Sequence, residues 1–222
     1  MEYTRSKTQY VFGLEGQSGD PSPFTALGVF LGIQSALKHQ RNSDSLKGIR
    51  VAVQGVGHVG YYLCQHLHQA GAQLVVSDIN QKALKHLTTE LNATVVAADE
   101  IYKQDVDIFA PCAFGGIINE QTLQQLKATI IAGSANNQLS HDSMSQALQS
   151  QHILHAPDYV INAGGIINVS FEKNYDKEKS IAKVHNISDQ LHQIFQLSSK
   201  RNQCTATIAD EIAQKIIHDH KS

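Results

Sequence analysis

The segment Arg50-Val51-Ala52-Val53-Gln54-Gly55-Val56-Gly57-His58-Val59-Gly60 constrains the fold of this chain more than any other stretch. An apolar run leads directly into three glycines spaced G-x-G-x-x-G, and a helical pattern then runs from Tyr61 to Gln69 and stops at Gly71. Gly55 permits a tight turn out of the strand, Gly57 lets the backbone approach a pyrophosphate, and Gly60 allows close helix-to-strand packing. The helix N-terminus adds N–H donors for an anion. Alone, such a spacing marks only a tight turn. Here a second apolar run, Leu74 to Ser77, ends in Asp78, about 20 residues past the glycines. That is the arrangement of a dinucleotide site. Asp78 would accept hydrogen bonds from the adenosine ribose hydroxyls and repel a 2′-phosphate, so NAD is expected in preference to NADP. The bland alternative for Asp78 is a solvated strand-end aspartate, and Lys82 and Lys85 stand near enough to soften the preference.

Further short apolar runs alternate with helical segments. The strand candidates are Arg50 to Val53, Leu74 to Ser77, Thr94 to Ala97, Val106 to Ala110, Thr129 to Ala132 and Tyr159 to Ile161. Runs this short, rich in Val and Ile and without strict polar alternation, suit parallel strands covered on both faces. The stretches between them are long enough for crossovers, which predicts an α/β, Rossmann-type doubly wound and mostly parallel sheet. Ahead of it, Gly16 to Pro23 reads as a loop ending in a helix start, with Ser22 as N-cap and Pro23 at the first helical position. A helix from Phe24 to about Gln40 follows, with Leu27, Phe30, Leu31, Ile33 and Leu37 as its apolar positions. Beyond Gly165, Asp176 to Lys200 and Thr205 to Asp219 read as two amphipathic helices. The expected organisation is a single NAD-binding domain: a leading loop and helix over 1–47, a Rossmann core over 48–170 and C-terminal helices over 171–222. A chain of 222 residues, 41% of them hydrophobic, can bury such a core.

The formal net charge is −2 and the Lys and Arg residues are scattered, so no footprint for nucleic acid or an anionic membrane is present. A small-molecule partner is the expectation. Cys64, Cys112 and Cys204 are far apart and odd in number, which fits a reducing cytoplasm. Nothing approaches the roughly 18 consecutive apolar residues of a membrane span. Twelve histidines raise the question of metal, and Cys64 with His68 is an i, i+4 pair on one helix. No further ligand converges on it, and no metal is expected.

Ligands of open parallel sheets bind beyond the carboxyl ends of the strands. The later strand candidates end in Pro111-Cys112-Ala113, Gly133-Ser134-Ala135-Asn136-Asn137 and Asn162-Ala163-Gly164-Gly165, all small or polar. Each alone could be a plain turn. Together on one edge they would offer a nicotinamide its amide partners and leave room for a substrate. His58, inside the glycine motif, either touches phosphate or faces solvent, and Cys112 has no visible base to activate it. None of the three loops contains Lys, Arg or His, so no catalytic acid or base is assigned.

Five stretches carry a resemblance: Ser18 to Ala26, Val51 to Gly57, Asp107 to Ala113, Ile131 to Leu139 and Ala156 to Gly165. With them the chain resembles the Glu/Leu/Phe/Val dehydrogenases, and most closely the leucine (branched-chain amino acid) dehydrogenases, over nearly all of its length. The resemblance implies an NAD-dependent interconversion of an L-amino acid with its 2-oxo acid and ammonia, in a homo-oligomeric enzyme with a cleft between a substrate domain and an NAD domain. It implies that Thr25 binds the nicotinamide carboxamide, that Gly55, Gly57, His58, Val59 and Gly60 surround the pyrophosphate, and that Asp78 and Ile79 hold the adenosine end. Cys112, Ala113, Ala135, Asn136 and Asn137 would border the rest of the cofactor. Asn162, Ile166 and Val169 would line the substrate pocket. The family's catalytic lysine, its substrate-carboxylate lysine and its catalytic aspartate belong to an N-terminal half with no counterpart in these 222 residues. The chain alone is therefore expected to be inactive. The other readings are a non-catalytic NAD-binding regulatory module descended from such an enzyme and, more weakly, a dehydrogenase of another small carbonyl substrate.

Overall fold

The computed structural model describes Lys7 and residues 18–219. Gly16 and Gln17, the start of the expected leading loop, lie outside the described residues. The elements are α1 (Ser22–Arg41), β1 (Arg50–Gln54), α2 (His58–Gln69), β2 (Gln73–Ser77), α3 (Gln81–Leu91), β3 (Thr94–Val95), β4 (Ile108–Pro111), α4 (Glu120–Leu123), β5 (Ile130–Ile131), α5 (Ser143–Ser150), β6 (Leu154–His155), α6 (Asp158–Ile161), α7 (Gly164–Ser170), α8 (Lys177–Arg201) and α9 (Thr205–Asp219).

All five strand pairings are parallel and the sheet order is β3-β2-β1-β4-β5-β6. Strand β1 lies at the centre, with Val51 opposite both Leu74 and Ile108. Sheet growth reverses between β3 and β4, so the crossovers after β1 and β4 leave on opposite sides and open a crevice between them. The order is that of the doubly wound dinucleotide folds.

Alternation along each strand explains the lack of polar residues in it. Val51, Val53, Leu74, Val76, Ile108, Ala110 and Ile130 belong to one apolar cluster, shared with residues of α1, α2 and α8. Their neighbours Ala52, Val75, Phe109 and Ile131 belong to a second, built with Ile101, Leu123, Met144 and Leu148. Both faces are covered. Each fully buried Val, Leu or Ile side chain contributes about 1.5–3 kcal/mol, so a polar residue at any of these positions would be strongly disfavoured.

Three expectations are corrected. The run Tyr159 to Ile161 is not a strand: these residues form α6, and the sixth strand is Leu154–His155, paired with Ile130–Ile131. Pro157 caps α6, and Ile161 is fully buried beside Gly28 and Gly32 of α1, where a helical turn places it. The segment Asn162 to Gly165 is accordingly a junction between α6 and α7, not a strand-end loop. Helix α1 starts at Ser22, one residue before the predicted start, with Pro21 at the N-cap. No side chain caps the helix as expected of Ser22; the Asp20 carboxylate accepts the Ser22 N–H at 2.9 Å just ahead of it. Among the described residues no helix is long and apolar enough to cross a membrane.

Candidate dinucleotide site

Gly55 leaves β1 with φ +91°, a conformation that costs other residues strain, and its N–H donates to the Ser77 carbonyl at 2.8 Å. A Cβ placed on it would lie 2.7 Å from the Ala113 Cβ, so the turns after β1 and β4 touch across the crevice. A Cβ on Gly60 would meet the Gly55 carbonyl oxygen at 2.0 Å, which is the close helix-to-strand packing expected of the third glycine. Gly57 differs from both. It is exposed, and a Cβ there would meet nothing within 4 Å. No packing among the described residues requires its bare backbone.

Helix α2 starts at Gly57 as N-cap, with no side-chain cap on its first-turn N–H groups. The aligned peptide dipoles place roughly half a positive charge there. His58 is exposed, Val59 is half-buried, and Gly60 lies within the first turn because the helix begins ahead of it. Asp78 closes the opposite side: its Oδ2 accepts the Val56 N–H and its Oδ1 the Asn80 N–H, both at 2.7 Å. A carboxylate offers about four acceptor positions, so two stay open for hydroxyl donors. Ile79, beside it, is 84% exposed.

The Cys112 N–H donates to the Gln54 carbonyl at 2.7 Å. Burial pushes its thiol up, against the opposing donors of Ser134, which disfavours the reactive thiolate. Phe114, 72% exposed in the same turn, was not among the sequence candidates. Its signal was present, an aromatic between Ala113 and Gly115 at a strand end.

A cleft of 460 Å³ continues the crevice, lined among others by Thr25, Val59, Asn136, Asn162, Ile166 and Val169. Close backbone approach assembles it. A Cβ on Gly164 would lie 2.0 Å from the Phe24 carbonyl oxygen, and one on Gly165 would lie 2.5 Å from the Thr25 Oγ1. The first turn of α7 thus lies directly on the first turn of α1. Thr25 Oγ1 donates to the Pro21 carbonyl at 3.2 Å and keeps its lone pairs. Asn162 Nδ2 donates to the Asn136 Oδ1 at 2.6 Å and to the Ser134 carbonyl at 3.3 Å. The Asn137 N–H donates to the Asp158 Oδ2 at 2.5 Å, and buried Gln138 donates to the Gly133 and Ala135 carbonyls. Side chains of α6 and of the loop itself therefore fix the turn after β5.

Ala135 is buried, 4% exposed, while Asn136 and Asn137 are exposed. Only the latter two present side chains to the edge. Ile166 is 69% exposed although apolar, and Val169 is half-buried one turn on. The residues lining the cleft include no Asp, Glu, Lys, Arg or His. Cys64 is buried while His68 is exposed.

Residues 16–81 and 77–219 match the profile of the glutamate/leucine/phenylalanine/valine dehydrogenases. The chain belongs to this family. It is 46% identical to a leucine dehydrogenase of Geobacillus stearothermophilus over 98% of its own length and 60% of that protein's. It is 48% identical to an L-tryptophan dehydrogenase of Nostoc punctiforme, over 97% of this chain and 62% of that one. The crystal structure of L-tryptophan dehydrogenase from Nostoc punctiforme superposes with a TM-score of 0.89 at 49% identity, covering 91% of this chain and 62% of that chain. The chain thus spans about 60% of the length of these relatives, which are named for amino acids of different size.

Proposed function

We propose that this chain is the NAD-binding half of an amino-acid dehydrogenase that oxidatively deaminates L-leucine, L-valine or L-isoleucine to the 2-oxo acid and ammonia, and that it is inactive alone. The observation that carries the reading is the cleft itself. Carboxamides of Asn136 and Asn162 and the hydroxyl of Thr25 share one wall system with Ile166, an exposed isoleucine that no other part of the described chain covers.

The residues fit NAD on independent grounds. The open space at Gly57 leaves room for a pyrophosphate against uncapped N–H groups of α2. Asp78 keeps acceptor positions for ribose hydroxyls, and no arginine adjoins it in the sequence for a 2′-phosphate. Bound along this edge, NAD would supply the hydride acceptor. Thr25 and Asn136 would orient a carboxamide, while Asn162 would border the substrate and Ile166 and Val169 would meet a branched aliphatic side chain. The cleft offers no cation for a second carboxylate, which disfavours glutamate. It also offers no group to hold or move a proton, and orientation of the substrate, which supplies roughly 7–11 kcal/mol in such reactions, needs a second wall.

The test follows absorbance at 340 nm with L-leucine, L-valine, L-tryptophan and L-glutamate, on the chain alone and after adding a separately expressed N-terminal domain of a relative. The proposal expects no turnover by the chain alone and the highest kcat/KM for an aliphatic substrate in the mixture. Turnover by the chain alone, or a preference for tryptophan or glutamate, would contradict it.

A further inference from the structure

The three cysteines occupy three different environments. Cys64 is fully buried and Cys112 lies in the packed turn after β4, and burial pushes both thiols up. Cys204 is partly exposed at the start of α9, where its carbonyl accepts the Ile208 N–H at 3.3 Å and its Sγ lies 3.0 Å from the Thr207 Oγ1. Burial alone would raise its thiol. Donation from the Ser145 and Thr207 hydroxyls, with the N–H groups of Thr207 and Cys204, outweighs burial and holds it below the ordinary value. A thiolate at a helix N-terminus is further favoured by the peptide dipoles.

Cys204 also lines two cavities, of 320 and 650 Å³, which share Ser145 and His155 as wall residues. Both are nearly fully buried, 6% and 4% exposed. The Ser145 hydroxyl is spent on Cys204, whereas His155 Nδ1 has no hydrogen-bond partner. An unsatisfied buried polar atom is unfavourable, and native interiors hold few of them. One on a wall shared by both cavities, beside an ionisable thiol, marks the place of a polar occupant. The tautomer of His155 specifies what it accepts. Gln138 uses its Nε2 on two carbonyls, so its Oε1, 3.4 Å from His155 Nε2, must be the acceptor there. Nε2 therefore carries the proton and Nδ1 is left with a lone pair, which takes a donor such as an amine. Charge points the same way: Asp142, Asp158 and Asp210 line the larger cavity, and no Lys or Arg does.

We propose that Cys204 is a modification site for small cationic disulfides, which bear amines and no carboxylates. The Cys204 thiolate attacks one sulfur of the disulfide. A new bond from Sγ forms as the original S–S bond breaks, and the departing half leaves as a thiolate that takes up the proton released by Cys204. The Cys204 sulfur is oxidised and the departing sulfur reduced, so the small disulfide is the only oxidant required. In the mixed disulfide the amine lies among the three aspartates, in the cavity that His155 also lines.

The experiment exposes the full chain at pH 7 and low salt to cystamine or to oxidised glutathione, quenches with acid and locates the adducts by peptide mass spectrometry. Each rate is divided by that of the urea-unfolded chain, which removes the intrinsic reactivity of the reagent. The expected result is an adduct on Cys204 with Cys64 and Cys112 unmodified, and a normalised rate several-fold higher for cystamine, the gap closing at about 1 M salt, where the screening length is about 3 Å. Thr207→Val, an exposed position, should move the midpoint of the rate–pH profile upward. Absence of a Cys204 adduct on the folded chain, equal labelling of Cys64 or Cys112, or an unmoved midpoint in Thr207→Val would overturn the assignment of the thiol. Equal normalised rates for the two reagents at low salt would overturn the preference for a cationic disulfide.

Discussion

Gly57→Ala and Gly60→Ala add the same methyl group at two points of one turn, and the geometry separates their effects. At Gly60 the new Cβ would sit 2.0 Å from the Gly55 carbonyl oxygen, far inside van der Waals contact, and that oxygen belongs to a turn held at φ +91°. The backbone cannot yield without disturbing the junction of β1 with α2. Overpacking of this kind costs typically 1–3 kcal/mol and occasionally more, and the upper end applies here because the obstacle is backbone. At about 2–4 °C per kcal/mol for a chain of this size, Gly60→Ala should lower Tm by about 6–12 °C. At Gly57 the backbone has φ −65° and ψ −161°, and the added Cβ meets nothing within 4 Å. An alanine fits there and restricts the unfolded chain, so stability should be unchanged or rise by up to about 1 kcal/mol. Its methyl would stand where a pyrophosphate must approach the N–H groups of α2, and NAD affinity should fall at least tenfold, about 1.4 kcal/mol. Thermal melts followed by circular dichroism give the first quantity and calorimetric titration with NAD the second. Wild-type NAD affinity in Gly57→Ala, or a wild-type Tm in Gly60→Ala, would refute the reasoning.

Asp78→Ser should weaken NAD more than NADP and so narrow the difference between them, and loss of the bonds to the Val56 and Asn80 N–H groups should destabilise the chain by about 1–3 kcal/mol. Parallel titrations with the two cofactors and a urea melt read both effects. His155 is held neutral in the fold, its pKa lowered from 6.5 to about 4 by burial, with Asp158 opposing. Because the unfolded chain takes up a proton below pH 6.5 that the folded chain refuses, this group's contribution is intact above pH 6.5 and is lost as pH falls toward 4. The loss reaches about 3 kcal/mol. In His155→Gln the slope of stability against pH over that window should flatten; an unchanged slope would show that another group carries it.

The parts of the fold that were legible in the sequence are local ones. The glycine spacing, the helix after it and Asp78 at the end of β2 all lie within one strand–helix–strand unit, where turn geometry and residue type coincide. The strand order was not legible, because the pairing of β1 with β4 is decided by packing between segments remote in sequence. Tyr159, Val160 and Ile161 all favour strands by type, and tertiary context overrides them: Pro157 ends the extended backbone and Ile161 fills the space left by Gly28 and Gly32 of α1. The real sixth strand has only two residues, Leu154 and His155, too few to show a period. In the site, Asn136 and Asn162 stood out in small, polar loop segments while Ile166 was implied only by the family resemblance; all three line one cleft. Ala135 sits in the same turn yet is buried, because the backbone of Gly133 to Asn137 curls around the Gln138 side chain. Exposure of Phe114 likewise depends on the neighbouring loops and not on its own segment.

The most direct test of the account is calorimetric titration of the 222-residue chain with NAD and, in parallel, with NADP. The account predicts saturable binding of one NAD per chain and weaker binding of NADP, with Asp78 responsible for the difference. No binding of NAD, or an affinity for NADP equal to or higher than that for NAD, would contradict it.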